Sequence, residues 1–468
     1  MKLNKYTLVM IAATAFSLQS CKKDFLDKEP FNQVIDIRDA DGAERLMAGV
    51  YGGMYNDYHI WDYMVNGDVT SDNAYAGGDN PANIQIDLFT TNATNGNVGR
   101  DWSGLYSNIK NANEVLENIP NVQDAALTAD RKAQMLGEAK TLRAYFYFHL
   151  VRLWGAVPLI LKTPTNLQEM QQPRSTVDQV YAQIIKDLEE ALPAVRTTTP
   201  NKGIISKGIV NALLAKVYAS KPTPDWTKVN QYADAVIAGG YTPVGNFDHL
   251  FDGAHKNNSE SIWEMQYDGW GGPKGRGNWM TGVIVGTGWK RFCTPTNDLV
   301  ALFDAEGDVI RKASSISFRN VATEGWSDSY WSKTNYPFIN KYRNDDLANS
   351  YILRLADIKL LKAEALNELT AGGWSSAKTI VDEIRGRVNL TGTPANDQTT
   401  MRLAIEKERR LELAFEGHRW FDLLRTNRAI AVMNAQKDGN GASLNYNVTA
   451  AKLLFPIPQA ERDRNPNL

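Results

Sequence analysis

The sequence predicts a mainly α protein made of packed helix pairs and interrupted by long irregular insertions. Three observations carry that reading. One long segment shows an unbroken helical stripe, two later pairs of segments resemble each other, and in two further stretches helical periodicity disappears.

Taken in order, 41–55 and 104–118 read as helices, and 130–153 reads as the clearest one. Its apolar residues Met135, Ala139, Leu142, Phe146, Leu150 and Leu153 recur at spacings of three and four, which keeps one face on a core. Pro158 marks its end. A helix over 176–192 follows, capped by Ser175 or Thr176 and closed by Pro193. Segment 205–220 then leads into 225–238, and 354–370 leads into 374–389. In both pairs small residues permit close crossing, and a Trp with polar neighbours separates the helices, as in tetratricopeptide-type units of about 34 residues. A last helix is predicted over 401–424.

Between these elements, 60–102 and 241–349 lack helical periodicity. Loops that long are usually functional or disordered. The second holds six of the chain's 12 tryptophans (Trp263, Trp270, Trp279, Trp289, Trp326, Trp331), and disordered segments are poor in aromatics, so it reads as ordered. Its part 269–288 is rich in glycine, which eases tight turns and close backbone approach to a ligand.

The N-terminus places Lys2 and Lys5 before an apolar run that ends in Leu18-Gln19-Ser20-Cys21. That is the layout of an export signal (1–20) with a lipobox-like end, and it predicts a lipid on Cys21 followed by a tether over 21–40. The run is too short and too often broken by Thr and Ser for a membrane-spanning helix, which needs about 20 apolar residues. With Cys21 acylated, Cys293 has no disulfide partner, so stability must come from packing. Length alone suggests two or three domains. The 51 basic and 53 acidic side chains nearly balance and form no long run of one sign, which argues against a nucleic-acid partner.

Several segments together resemble the SusD/RagB family of Bacteroidetes lipoproteins. They are CKKDFLDKEP at 21–30, LRAYFYFHLVRLWGAVPLI at 142–160, RLADIKLLKAEAL at 354–366, IEKERRLELAFEGHRWFDLLRT at 405–426 and LLFPIP at 453–458. The resemblance implies one mainly α domain over 41–468. A tetratricopeptide-like helical-pair scaffold (about 41–59, 103–240 and 350–430) would carry long loop-rich, partly β insertions (about 60–102 and 241–349). It further implies a lipid-anchored protein on the outer face of the outer membrane. Such a protein binds oligosaccharides or other nutrients on its insertions and passes them to a SusC-like TonB-dependent transporter. A tetratricopeptide-type scaffold that only docks proteins is the alternative, as is a related binder of a peptide nutrient.

Catalytic patterns are thin. The five histidines form no HExxH pair, and no GxSxG elbow, GxxxxGK loop or strand-bound GxGxxG occurs. Glu416 and Asp422 flank His418, but the adjacent arginines would keep both carboxylates ionised, so an ion-pair network is expected there rather than acid/base chemistry. Cys293 reads as an unreactive thiol. No cofactor is expected. The oxygen-rich stretch 66–80 offers hard ligands for calcium, yet its spacing matches no known loop.

The tryptophans carry the main expectation. A pyranose ring has an apolar C–H face edged by hydroxyls, so an indole or phenol takes the face while polar side chains bond the rim. Trp102, Trp279, Trp289, Trp326, Tyr330 and Trp331 are the stacking candidates, with Asp72, Asn73, Arg291 and Lys333 for the rim. Each aromatic could equally support the fold, Trp289 above all, because 289–308 resembles a scaffold segment of the family.

Overall fold

In the computed structural model, residues 37–284, 290–343 and 345–468 are described. Ten helices build the scaffold: α1 Ala40–Gly52, α2 Gly96–Asn118, α3 Ala129–Trp154, α4 Val177–Ala191, α5 Lys207–Ser220, α6 Trp226–Ile237, α7 Leu355–Leu369, α8 Trp374–Arg387, α9 Gln398–Glu412 and α10 Arg419–Arg425.

Local chemistry fixes their ends. Thr176 caps α4 through a reciprocal box: its hydroxyl accepts the Gln179 amide (3.2 Å), and the Gln179 side chain accepts the Thr176 amide (2.9 Å). Asp225 caps α6 by accepting the Lys228 amide at 3.0 Å. Helix α3 stops at Gly155, whose φ of +71° lies in the region that favours glycine and where a Cβ would meet Leu454 at 2.8 Å. The α3 stripe is fully enclosed. Met135, Ala139, Leu142, Phe146 and Leu150 are each 0% exposed, and burying one such large side chain contributes about 1.5–3 kcal/mol.

Helix α3 packs between α2 and α4, and α7 packs against α6, α8 and α9. The α6 contact joins the two pairs that look alike in sequence, although they lie far apart along the chain. One large core spans most of the molecule, with a smaller one under α7, α8 and α9 around Leu360, Val381 and Met401. Among the described residues, no helix is long and apolar enough to cross a membrane.

Among the described residues, six short strands form three antiparallel ribbons: β1 Ala74–Tyr75 with β3 Thr294–Pro295, β2 Ser261–Met265 with β6 Ser350–Arg354, and β4 Ile316–Arg319 with β5 Tyr336–Ile339. The partly β character of 241–349 is thus present. Strand β6 runs directly into α7, which ties that insertion to the scaffold.

Two expectations are corrected. Stretch 60–102 is not an open loop. Tyr58–Asp62 and Val65–Val69 are buried π-helical turns, Pro81–Asp87 is a helix, and α2 begins at Gly96 rather than at 104. Nor is 401–424 one helix. Asp68 accepts the amides of Phe415 (3.2 Å) and Gly417 (2.6 Å), holding a turn in which both residues take positive φ, +64° and +75°. A Cβ on Gly67 would lie 2.4 Å from the Gly417 carbonyl, so the two backbones touch and the helix must break there.

Candidate functional site

The charged motif around α9 and α10 is internal. Arg354 donates to Glu260 (2.9 Å), to Glu412 (2.6 Å) and through two nitrogens to Glu416 (2.7 and 2.8 Å). Lys341 pairs with Glu416 at 2.6 Å, and Arg311 meets Asp308 (2.5 Å), Glu408 (2.6 Å) and Glu412 (3.1 Å). Burial pushes the Glu416 carboxyl up, but Arg354 and Lys341 more than offset it and hold the group below its ordinary range. Asp422, bonded to Arg409 and Arg425 (2.9 Å each), is likewise held ionised. Burial and nearby Lys216 push His418 down to about 3. Permanently ionised carboxylates beside a neutral imidazole make a poor acid/base set at neutral pH. Burial also pushes the Cys293 thiol up, away from thiolate chemistry.

Three candidates are buried. The Asp72 carboxylate is clamped by Arg419 (2.7 and 2.9 Å) and by Arg410 (3.2 Å), which bring it down to about 2 against the upward push of burial. Asn73 accepts from Arg410 (3.0 Å) and donates to Asp68 (2.8 Å). Both are buried, as is Trp102, which packs edge-on against Trp154 at 5.3 Å. With Asp68 and Asp72 so occupied, the stretch 66–80 has little carboxylate left to offer calcium.

Of the remaining candidates, Arg291, Trp326, Tyr330, Trp331 and Lys333 lie close together. Trp326, Tyr330 and Trp331 are half-buried on the loop between β4 and β5, and each ring is fixed from behind. Tyr330 stacks on Tyr75 with centroids 3.9 Å apart and planes within 12°. The Arg291 guanidinium lies 3.5 Å from the centre of the Trp326 ring, and the Trp331 indole donates to the Pro295 carbonyl at 2.9 Å. Beneath them Asp328 accepts from the hydroxyls of Tyr75 (2.8 Å) and Tyr336 (2.7 Å), while Arg291 donates to the Tyr336 hydroxyl (3.1 Å). Arg291 is therefore a support under the indole rather than a rim donor, being only 4% exposed. Lys333 is half-buried 5.5 Å from the Trp326 ring and donates to the Glu324 carbonyl.

Beside this platform runs the loop 76–80, half-buried to exposed, with Asp79 open to solvent. Gly77 donates to the Arg291 carbonyl (3.0 Å), and a Cβ there would press on Thr294 (2.5 Å) and on the Tyr336 hydroxyl (3.0 Å). Just behind, Asp87 accepts the Ala76 amide (3.1 Å) and the Tyr446 hydroxyl (3.2 Å), and burial still pushes it up to about 7.

Trp279 is half-buried and set edge-on against Trp61 at 5.6 Å, so part of its ring serves packing. Cys21 and Trp289 lie outside the described residues. Sequence reasoning passed over Tyr75, Asp328 and Tyr336, which build the underside of the platform. It also passed over Trp270, 61% exposed on a turn held by Asp268 and Asp346. Their sequence neighbours offer only a weak signal: Tyr75 lies just before a Gly-Gly pair, and Asp328 sits two residues from Tyr330.

Comparison with known proteins agrees with this architecture. Residues 24–219 match a family model described as "Starch-binding associating with outer membrane", and residues 332–468 match the SusD family model. The chain belongs to the SusD/RagB family. A SusD-like protein of Formosa agariphila is 29% identical over 426 residues, 82% of each chain. Another, of Bacteroides ovatus, is 25% identical across 90% of this chain and 82% of that protein. A solved "Laminarin binding SusD-like protein" superposes with a TM-score of 0.76 at 27% identity, covering 92% of this chain and 98% of its own. A SusD homologue of Bacteroides thetaiotaomicron gives 0.77 at 25% identity, over 93% and 97%.

Proposed function

We propose that this SusD/RagB protein is a non-enzymatic glycan binder whose sugar-stacking surface is the platform of Trp326, Tyr330 and Trp331. The observation that carries the proposal is the fixing of those rings by Tyr75, Arg291 and Pro295 while each residue stays only half-buried. A rigid aromatic loses little side-chain freedom on binding, so more of the stacking energy appears as affinity. Rim contacts come from the neighbouring loop, where the Gly78 peptide and the Asp79 carboxylate suit sugar hydroxyls. The laminarin-binding relative and the starch-binding description of the matching family model support carbohydrate as the ligand class.

In this reading a lipid on Cys21 holds the protein on the outer membrane facing outward, and the bound oligosaccharide passes to a SusC-like TonB-dependent transporter. Calorimetric titration of the purified chain with laminarin-type and starch-type oligosaccharides tests ligand class. Binding of either that is strongly weakened by Trp326→Ala, with melting unchanged, supports the proposal. Failure of both, across chain lengths, turns it toward peptide or another nutrient. Co-purification with a barrel transporter, and release from membranes on Cys21→Ser, test the assembly separately.

A further inference from the structure

Away from the platform, the turn after β-insertion residue 246 brings His249, Asp252 and His255 together, with one donor atom from each lying within 4.8 Å of the others. Among the described residues this is the only such group. We propose that these three side chains bind one divalent transition-metal ion of the zinc class.

Donors around a tetrahedral zinc sit about 2.0–2.1 Å from the metal and hence about 3.4 Å from each other, so the observed spacing closes by rotation of the side chains. Two imidazoles and a carboxylate are the donor types that zinc takes most readily after thiolate. The site is also held in place. Phe247, Leu250 and Phe251 anchor the turn in a small core with Tyr351 and Val388, which leaves the alternate residues facing outward. Asp248 is pinned by Ser314 and Arg343 at 2.7 Å each.

The donors themselves are oriented. One Asp252 oxygen accepts the amides of Ala254 (2.9 Å) and His255 (3.2 Å), so the other is presented to the His255 ring nitrogen at 2.7 Å. The rings of His249 and His255 stack at 3.9 Å with planes 9° apart, so their in-plane lone pairs run parallel and at least one ring turns out of the stack when both meet one ion. Outer hydrogen bonds of this kind set ligand direction in metal sites. A cation would replace the contact between Asp252 and His255, and a water would fill the remaining position.

Other histidines do not compete. His59 and His149 are buried, and His418 lies 3.5 Å from the Lys216 ammonium, which repels a cation. Surface imidazole binding by this chain therefore reports on His249 and His255.

The test is calorimetric titration of the chelator-treated full chain with zinc. One equivalent is expected to bind, and His249→Ala, Asp252→Asn and His255→Ala each lower the affinity at least about tenfold, since even outer-shell losses cost 10–100-fold. Cobalt at the same site gives the visible absorption of a tetrahedral ion. Melting of the metal-free variants near the wild-type temperature shows that the fold is intact. The proposal is overturned if the wild type takes up no zinc at millimolar concentration, or if His249→Ala and His255→Ala bind it as tightly as the wild type.

Discussion

Asp72 and Asp328 sit in the two insertions, each a carboxylate with hydroxyl-rich or basic partners, yet they do opposite work. Asp72 is closed in by Arg410 and Arg419 and locks the first insertion onto the scaffold. Asp328 draws Tyr75 and Tyr336 together, and the rings above it stay half open. One carboxylate secures the fold, and the other shapes a surface. The difference lies in where they sit: α9 and α10 close over the first, while the second belongs to the loop between two short strands.

The comparison breaks most sharply at the ion clamp. Arg419→Ala leaves Asp72 buried with its charge partly uncompensated, a loss of about 3–5 kcal/mol. Chemical denaturation should show a large fall in the midpoint, with ligand affinity of the remaining folded protein unchanged. An unaltered midpoint would mean that the clamp is dispensable.

Trp326→Ala should do the reverse. Removing a central aromatic anchor costs about 2 kcal/mol of binding, roughly a thirtyfold weaker Kd, with little change in stability. Equal losses of stability and affinity would merge the two regions into one. Gly77→Ala probes the seam between them. Its Cβ must push on Thr294 and Tyr336, and overpacking of this kind costs about 1–3 kcal/mol. The expected readout is weaker glycan binding with a modest drop in melting temperature, against no change if the loop yields freely.

The mildest perturbation changes one proton. Asp87 ordinarily titrates near 3.8 and is pushed up to about 7 by burial, so the folded chain holds its proton longer than the unfolded chain does. Stability from this group is therefore present at low pH and lost as pH rises from about 4 through 7. Asp87→Asn should flatten that part of the curve of melting temperature against pH. A slope identical to the wild type would show that Asp87 does not titrate in this window.

Much of the scaffold was legible because its signals are local. Thr176 with Gln179, the α3 stripe and the alanine-rich pairs each declare a helix within a few residues. The first insertion was not. Asp72 looked like a polar loop residue because its partners Arg410 and Arg419 lie more than 300 positions away. The break in the last helix was hidden likewise, since Asp68 imposes it from the other end of the chain. The platform was half legible: its upper aromatics stand out in composition, whereas Tyr75, Tyr336 and Asp328 acquire their role only when β1, β3 and β5 come together.

Arg354 closes β6 and adjoins α7, with carboxylates from 260, 412 and 416 around it. That junction separates what must stay from what is free to vary. Substitutions at Trp326, Tyr330 and Trp331 alter the outer rings, while the footing of the insertion is fixed at Arg354. A binding protein arranged this way can change its ligand by exchanging one loop while keeping its framework intact.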